Sequence, residues 1–297
     1  MKMECGYLLV ADAGGTKSDW YVLSDDLSAP LIVTTEGINA STHSDEHILK
    51  VIEELRDKLK EAGIALRKNE SSLYFYGAGC RDAISESRVS SAVNKVFPEI
   101  FKTQFYGSDI LGAARSLFGD KKGIVAILGT GSGSALYDGR NIVDSIPSLG
   151  YILGDEGSGA YLGRLLLNRY FKRDLSSDTS VLFKEEYGVE VSEVLERVYR
   201  HPSPNSYLAS FVPFLQKEKG REDIYNLIYY GINQFFIRNI NKYSLDSTVP
   251  IGFIGSVAFY FSDILHSVAD AYNRQILKVV RQPIIGLGNY HREKLKI

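Results

Sequence analysis

The clearest chemical potential in this chain lies in Asp12 and, one alanine later, the run Gly14-Gly15-Thr16-Lys17. Gly14 and Gly15 allow positive φ and close backbone approach, so the turn's N–H groups, the Thr16 hydroxyl and the Lys17 ammonium can surround a phosphate-like anion. Asp12 cannot usefully touch that anion itself. A hard divalent ion such as Mg2+ reconciles the two, because it accepts carboxylate, water and phosphate oxygens together, and Asp12 is the candidate metal-side residue. Taken alone, the motif is equally that of an ordinary hairpin with a Gly-Gly turn. It is not a P-loop, because Thr16 separates Gly15 from Lys17 and the chain continues as a strand where a P-loop opens a helix.

Two short strands must hold this turn. Residues 7–10 are apolar, too short for a buried helix and bounded by glycines, while 20–23 are aromatic and β-branched. A third strand is expected over 31–35, followed by a polar loop over 36–42 that contains Asn39. The clearest helix has Ser44 as its N-cap, Asp45 and Glu46 at its positive end, Ile48, Val51, Ile52, Leu55 and Leu59 at helical spacing, and Gly63 as its close. Strands over 73–76 and 103–106 and helices over 87–97 and 110–118 complete the order βββαβαβα.

That order then begins again. Residues 123–128 form an apolar strand, Gly129-Thr130-Gly131-Ser132-Gly133-Ser134 a glycine turn, 135–137 a second strand and 141–144 a third. A repeat of this size argues for two related domains facing each other, with a glycine hairpin from each flanking one cleft. The glycine series is not a dinucleotide fingerprint, because its third glycine is misplaced and a strand follows where a helix is required. Gly154-Asp155-Glu156-Gly157-Ser158 has the form of a binding loop opening a helix over 159–171. Further helices are expected over 191–199, 207–216 and 222–243, with 172–187 mixed. A strand over 249–254 ends in Gly255-Ser256 and leads into a helix over 257–269. Residues 279–287 are strand-like around Pro283, and 291–296 form a helical tail.

Composition narrows the function classes. The 297 residues are 44% apolar, enough for two cores, and 34 basic residues stand against 36 acidic, with no basic face interleaved with aromatics to suit nucleic acid. Cys5 and Cys80 are the two cysteines, too few for a disulfide framework or a zinc or iron–sulfur ligand set in one chain. No signal peptide is expected, since one Lys and a four-residue apolar run precede Asp12, no run of apolar residues is long enough to cross a membrane, and a cytoplasmic setting is expected.

Three spaced features, Asp12-x-Gly-Gly-Thr-Lys, Gly129-Thr-Gly-Ser-Gly-Ser and Gly255-Ser256 after a strand, resemble the phosphate-1, phosphate-2 and adenosine motifs of the actin, hexokinase and Hsp70 ATPase superfamily. With Gly154-Asp-Glu-Gly-Ser, and Ser108-Asp109 at a helix start, the chain is similar to the N-acetylglucosamine kinase and BadF/BadG ATPase group over essentially its whole length. The resemblance implies an α/β protein of two ribonuclease H-like domains, 1–118 and 119–297, flanking an interdomain nucleotide and substrate cleft. The second domain would carry a helical insertion, and a tail from about residue 288 would pack back on the first domain.

It also implies ATP and Mg2+ as cofactors. Asp12 would hold Mg2+ through water, while Gly14, Gly15, Thr16 and Lys17, with Gly129, Thr130, Gly131 and Ser132, would hold phosphates. Gly255 and Ser256 would lie against adenosine. Asp109 would be the catalytic base, and Asn39 and Asp155 would bind the hydroxyls of an amino sugar, N-acetylglucosamine first. The family pattern has an aromatic soon after that Asn, whereas Ala40, Ser41 and Thr42 follow here. A homodimer is expected by the same analogy. The alternatives are an ATPase coupled to a partner protein, whose relatives carry cluster-binding cysteines absent here from the second domain, and a sensor without catalysis.

Each residue also has a plainer role. Asp109 after Ser108 can cap or compensate a helix dipole, Asp155 and Glu156 can charge a helix N-terminus, and Asn39 can occupy a turn. His43, His47, His201, His266 and His291 lack metal-ligand spacing and receive no role. Tyr225, Tyr229, Tyr230 and Tyr243 suit core or dimer surface better than a stacking platform.

Overall fold

The structure is a computed structural model that describes residues 6–24, 27–243 and 248–295; Cys5 and Lys296 lie outside the described residues. Two compact units divide the chain. One takes in the residues up to Asp120, Gly139–Asn141 and the segment from Pro283; the other takes in Lys121–Asp138 and Ile142–Gln282.

In the first unit β1 (Leu8–Ala13), β2 (Lys17–Leu23) and β3 (Leu31–Glu36) form an antiparallel meander. After α1 (Asp45–Glu61) the chain returns as β4 (Ser71–Gly77), parallel to β1, and after α2 (Ala83–Val96) as β5 (Phe101–Ser108), parallel to β4, before α3 (Asp109–Phe118). The sheet order is β3-β2-β1-β4-β5. β1 is buried on both faces, as its unbroken apolar run requires. Leu9 and Ala11 face the core built with Ile48, Val51 and Ile52 of α1, and Leu8 and Val10 face the opposite way. Each such side chain contributes on the order of 2 kcal/mol when fully buried.

The second unit repeats the plan. β6 (Gly123–Leu128), β7 (Ser132–Tyr137) and β8 (Ile142–Ile146) are antiparallel. A helical stretch follows: α4 (Gly150–Leu153), α5 (Gly159–Lys172), α6 (Ser177–Tyr187), α7 (Val191–Tyr199), α8 (Pro204–Ala209), α9 (Val212–Lys217) and α10 (Glu222–Arg238). β9 (Ile251–Ile254) then pairs parallel to β6, and after α11 (Ser256–Tyr260) and α12 (Ser262–Ala271) β10 (Ile276–Val280) pairs parallel to β9. Its order, β10-β9-β6-β7-β8, is that of the first sheet named from the other edge. Two sheets of the same order and strand directions give the two ribonuclease H-like domains of an actin-type fold.

Several boundaries differ from the sequence expectations. Residues 279–287 are not one strand: β10 ends at Val280, and α13 (Ile284–Leu295) starts directly after Pro283. Proline lacks an N–H and has its φ preset, which suits a helix entrance and not a ladder. Residues 204–217 and 256–271 each break into two short helices, and α10 stops at Arg238 before a 3-10 turn over Ile240–Lys242. α2 begins before residue 87 because Asp82 and Ser85 form a capping box at its entrance. The stretch 172–187 resolves into α6, whose N-cap Ser176 accepts from Thr179 N.

α13 covers the face of the first sheet that carries Leu8 and Val10. A Cβ at Gly286 would meet the backbone carbonyl of Ser116 at 2.9 Å, and one at Gly288 would enter the ring of Tyr21. The two glycines therefore let the helix lie close against α3 and β2. His291 is stacked on Tyr74 at 3.8 Å and pairs with the Tyr76 hydroxyl at 2.8 Å, and Arg115 Nη1 donates to the same hydroxyl at 2.5 Å.

Candidate functional site

The first unit gathers its predicted residues at one end of β1, β4 and β5. The turn between β1 and β2 is closed by Gly14 N donating to Lys17 O at 2.9 Å. The N–H groups of the exposed Gly15 and Thr16 have no intramolecular partner among the described residues, as an anion-binding turn requires. Lys17 is not left for the anion alone. Its Nζ sits 2.7 Å from Asp19, whose other carboxylate oxygen accepts from Thr34 Oγ1 at 2.8 Å. Sequence reasoning passed over Asp19, because β2 is buried on both faces and alternation along it singles out neither.

Asp12 is half-buried and has no donor partner among the described residues. Burial, then the charges of Asp109 and Asp19, push its carboxyl up to about 7, with Lys17 opposing. A carboxylate so short of positive charge fits a hard divalent cation, whose binding would supply the missing compensation. Asp109 follows Ser108 at the end of β5, in register with Gly77 of β4. The N-cap is Ser108, whose Oγ accepts from Leu111 N at 3.4 Å, so Asp109 is not needed for that role. One Asp109 oxygen accepts from Ile110 N at 2.8 Å. Burial raises the carboxyl's pKa, and the Ile110 N–H and the Arg81 guanidinium pull it back.

Asn39 lies on the loop after β3, bridged to Ala78. Its Oδ1 accepts from Ser41 N and Thr42 N at 3.0 and 3.2 Å. Both neighbours are backbone donors, which fixes the amide orientation and leaves the NH2 without a partner among the described residues. Asn39 therefore offers donors, not the acceptor that its residue type also allowed. Gly37 and Gly79 make this layering possible. A Cβ on Gly37 would meet Gly15 C at 2.5 Å, and one on Gly79 would meet Ser41 N at 2.6 Å. The glycine turn, the Asn39 loop and the end of β4 are thus stacked without side chains between them. Cys80, in the same segment, is buried with its thiol pushed up to about 12, which makes it inert.

In the second unit the turn Gly129–Gly131 is fixed from below. Gly159 N and Ala160 N, at the start of α5, donate to Gly129 O and Thr130 O at 2.8 and 3.0 Å, so donors that a helix start leaves unpaired anchor the turn. The N–H groups of Thr130 and Gly131 keep no intramolecular partner among the described residues. Asp155, only 8% exposed and at positive φ, accepts from Ser132 N and Ser148 Oγ, both at 3.3 Å. Burial raises the pKa of this carboxyl. A Cβ at Gly131 would come within 3.2 Å of it, so Asp155 lies directly on the glycine turn. Glu156 faces Arg238 of α10 at 3.6 Å. Gly255 has φ 120°, and a Cβ there would meet Leu128 C at 2.6 Å. Its constraint is thus close packing on β6, while Ser256 is exposed at the start of α11.

No protein-family model and no curated protein matches the chain. A solved structure from Porphyromonas gingivalis, provisionally assigned as an N-acetylglucosamine kinase, is 36% identical, with a TM-score of 0.88 over 96% of this chain and 99% of that one. The chain belongs to the N-acetylglucosamine kinase and BadF/BadG-type ATPase family. A second protein given the same provisional assignment, from Chromobacterium violaceum, superposes with a TM-score of 0.77 at 16% identity over 97% of this chain and 99% of that one. A ROK family glucokinase from Streptomyces griseus, solved with glucose and AMPPNP, gives 0.53 at 13% identity over 97% and 100%. These two show the shared fold. No helix among the described residues of this family member is long and apolar enough to cross a membrane.

Proposed function

We propose that the protein is an ATP-dependent sugar kinase that transfers the γ-phosphoryl of Mg-ATP to a hydroxyl of an amino sugar, N-acetylglucosamine first. The observation that carries this reading is the state of Asp109. Ser108 does the capping, the Asp109 carboxylate accepts from backbone N–H groups alone and from no side chain among the described residues, and burial raises the basicity of the group. A carboxylate in that state suits a base that accepts the acceptor hydroxyl's proton as the new bond forms.

The N–H groups of Gly15 and Thr16 in one unit, and those of Thr130 and Gly131 in the other, have no partner among the described residues and would each serve phosphate oxygens. Mg2+, held through Asp12, would offset phosphate charge. By the family resemblance Asn39 and Asp155 would bind sugar hydroxyls, the first through its NH2 and the second through its carboxylate. The likeness to the Porphyromonas gingivalis protein supports the choice of amino sugar.

The test is ADP release with and without N-acetylglucosamine, glucosamine, N-acetylmannosamine and glucose. One of these sugars should stimulate turnover with equimolar sugar phosphate. ATP turnover that no sugar accelerates would move the protein to the partner-coupled ATPases.

A further inference from the structure

The loop that presents Asn39 is gripped from outside by one side chain. Arg88, on the second turn of α2, donates from Nη1 to Ala40 O, from Nη2 to His43 O at 2.5 Å and from Nε to Asp45 Oδ1 at 2.6 Å. Its side chain is only 26% exposed, whereas that of Asp45 is 77% exposed, so the two carbonyl bonds lie on the protected side of the guanidinium and the ion pair on the wet side. The rest of the loop is closed locally. His43 N donates to Asn39 O at 3.0 Å, Asn39 N to His43 Nδ1 at 3.2 Å, Ser41 Oγ to Gly79 O at 2.9 Å and Ala40 N to Ala78 O at 2.9 Å, and His47 Nε2 pairs with Gly37 O at 2.9 Å. Ala40 O and His43 O, on either side of the turn that Asn39 caps, are the carbonyls Arg88 takes.

We infer that Arg88 is a positioning residue: by clamping the carbonyls of Ala40 and His43 it holds the Asn39 amide in place for the acceptor, without touching the acceptor itself. The inference rests on the kinase reading for the acceptor's identity, but the clamp is a property of the chain alone. Arginine suits the task because its planar fork satisfies diverging acceptors at once, which a lysine ammonium on a flexible stem does not reproduce. Loss of the clamp frees a loop whose ordering the acceptor must then supply, so the loss falls on acceptor affinity.

The experiment compares Arg88→Lys, Arg88→Met and Asp45→Asn with wild type, each also in an Asn39→Ala background. Hydrogen exchange should rise at the amides of residues 40–43 in both Arg88 variants, with α1 and α2 still protected. KM for the phosphorylated sugar should rise about tenfold, while kcat and KM for ATP stay within about twofold. Asp45→Asn should match wild type. In the Asn39→Ala background the Arg88 substitutions should cost nothing further in sugar KM, because the residue through which Arg88 acts is gone.

Unchanged exchange at 40–43 overturns the inference, as does a KM penalty that persists fully in the Asn39→Ala background, or an equal loss in KM for ATP. If Arg88→Met fails to fold, Arg88→Lys, which keeps charge and stem, carries the test. Faster exchange in a protein that phosphorylates no sugar would uphold the clamp and reject the kinase reading, so the two failures are distinct.

Discussion

Asp12 and Asp19 stand opposite each other across the first hairpin, register partners in β1 and β2, and the Lys17 ammonium is drawn to Asp19 at 2.7 Å. Asp19 has both carboxylate oxygens occupied, whereas Asp12 has no donor among the described residues. One strand pair therefore holds a satisfied acid beside an unsatisfied one.

The unsatisfied acid makes stability depend on pH. Asp12 sits at about 7 in the folded chain against an ordinary 3.8, so the folded state keeps a proton that the unfolded chain has already lost. Stability therefore falls as pH rises from about 4 through 7. Asp12→Asn should raise the Tm at pH 8, with the gain fading by pH 4, and should abolish Mg2+-dependent ATP binding. Thermal melts across that range check the first part; equal Tm values at pH 8 would show that Asp12 is not strained by its neighbours.

Gly131 and Gly255 should fail in different ways. Gly131→Val drives a side chain at the Asp155 carboxylate and into the space of the turn, so nucleotide binding should vanish by calorimetry while the Tm stays close to wild type. Gly255→Ala meets both a φ of 120° and the Leu128 backbone, and should lose about 1–3 kcal/mol of stability in urea melts. A stable Gly255→Ala protein would mean that the strand end can yield.

Asp109→Asn keeps shape and reach but cannot take a proton. Its kcat should drop by about 10²–10⁴ with ATP affinity nearly unchanged. Ser108→Ala should do the reverse, costing about 1 kcal/mol of stability with turnover kept, because Ser108 is the cap. Near-wild-type turnover in Asp109→Asn would remove Asp109 from the chemistry.

His291 links α13 to the first sheet. Burial, then the Arg115 charge, lowers its pKa from 6.5 to about 3, so the folded state holds it neutral while the unfolded chain takes up a proton below 6.5. The contribution is full above pH 6.5 and is lost progressively as pH falls toward 3. His291→Leu should therefore weaken the protein at pH 7.5, and its melting temperature should fall less steeply between pH 6.5 and 5 than that of wild type. Parallel slopes in that interval would show that His291 is not what titrates.

Much of this protein is written locally. Gly14-Gly15 and Gly129-Thr130-Gly131 between apolar runs mark two hairpins, the α1 pattern with Ser44 before it marks a capped helix, and the repetition of βββαβαβα marks two like domains, because turn chemistry and periodicity act over a few residues. Asp12 could be singled out for the same reason, as an acid at a strand end before a glycine turn, whereas Asp109 read locally as a helix-start acid and only its place in the order of the superfamily motifs marked it out. The tertiary structure decided what depends on distant partners. Gly37 and Gly79 matter through backbone approached from other loops, Asp155 through a glycine turn 24 residues earlier, and Arg88 through carbonyls more than 40 residues before it. Pro283 and the apolar residues after it fit strand or helix by pattern alone. They became α13 because the face of β1 that carries Leu8 and Val10 needed a cover, and burial of apolar area on a sheet face is a requirement that no local pattern contains.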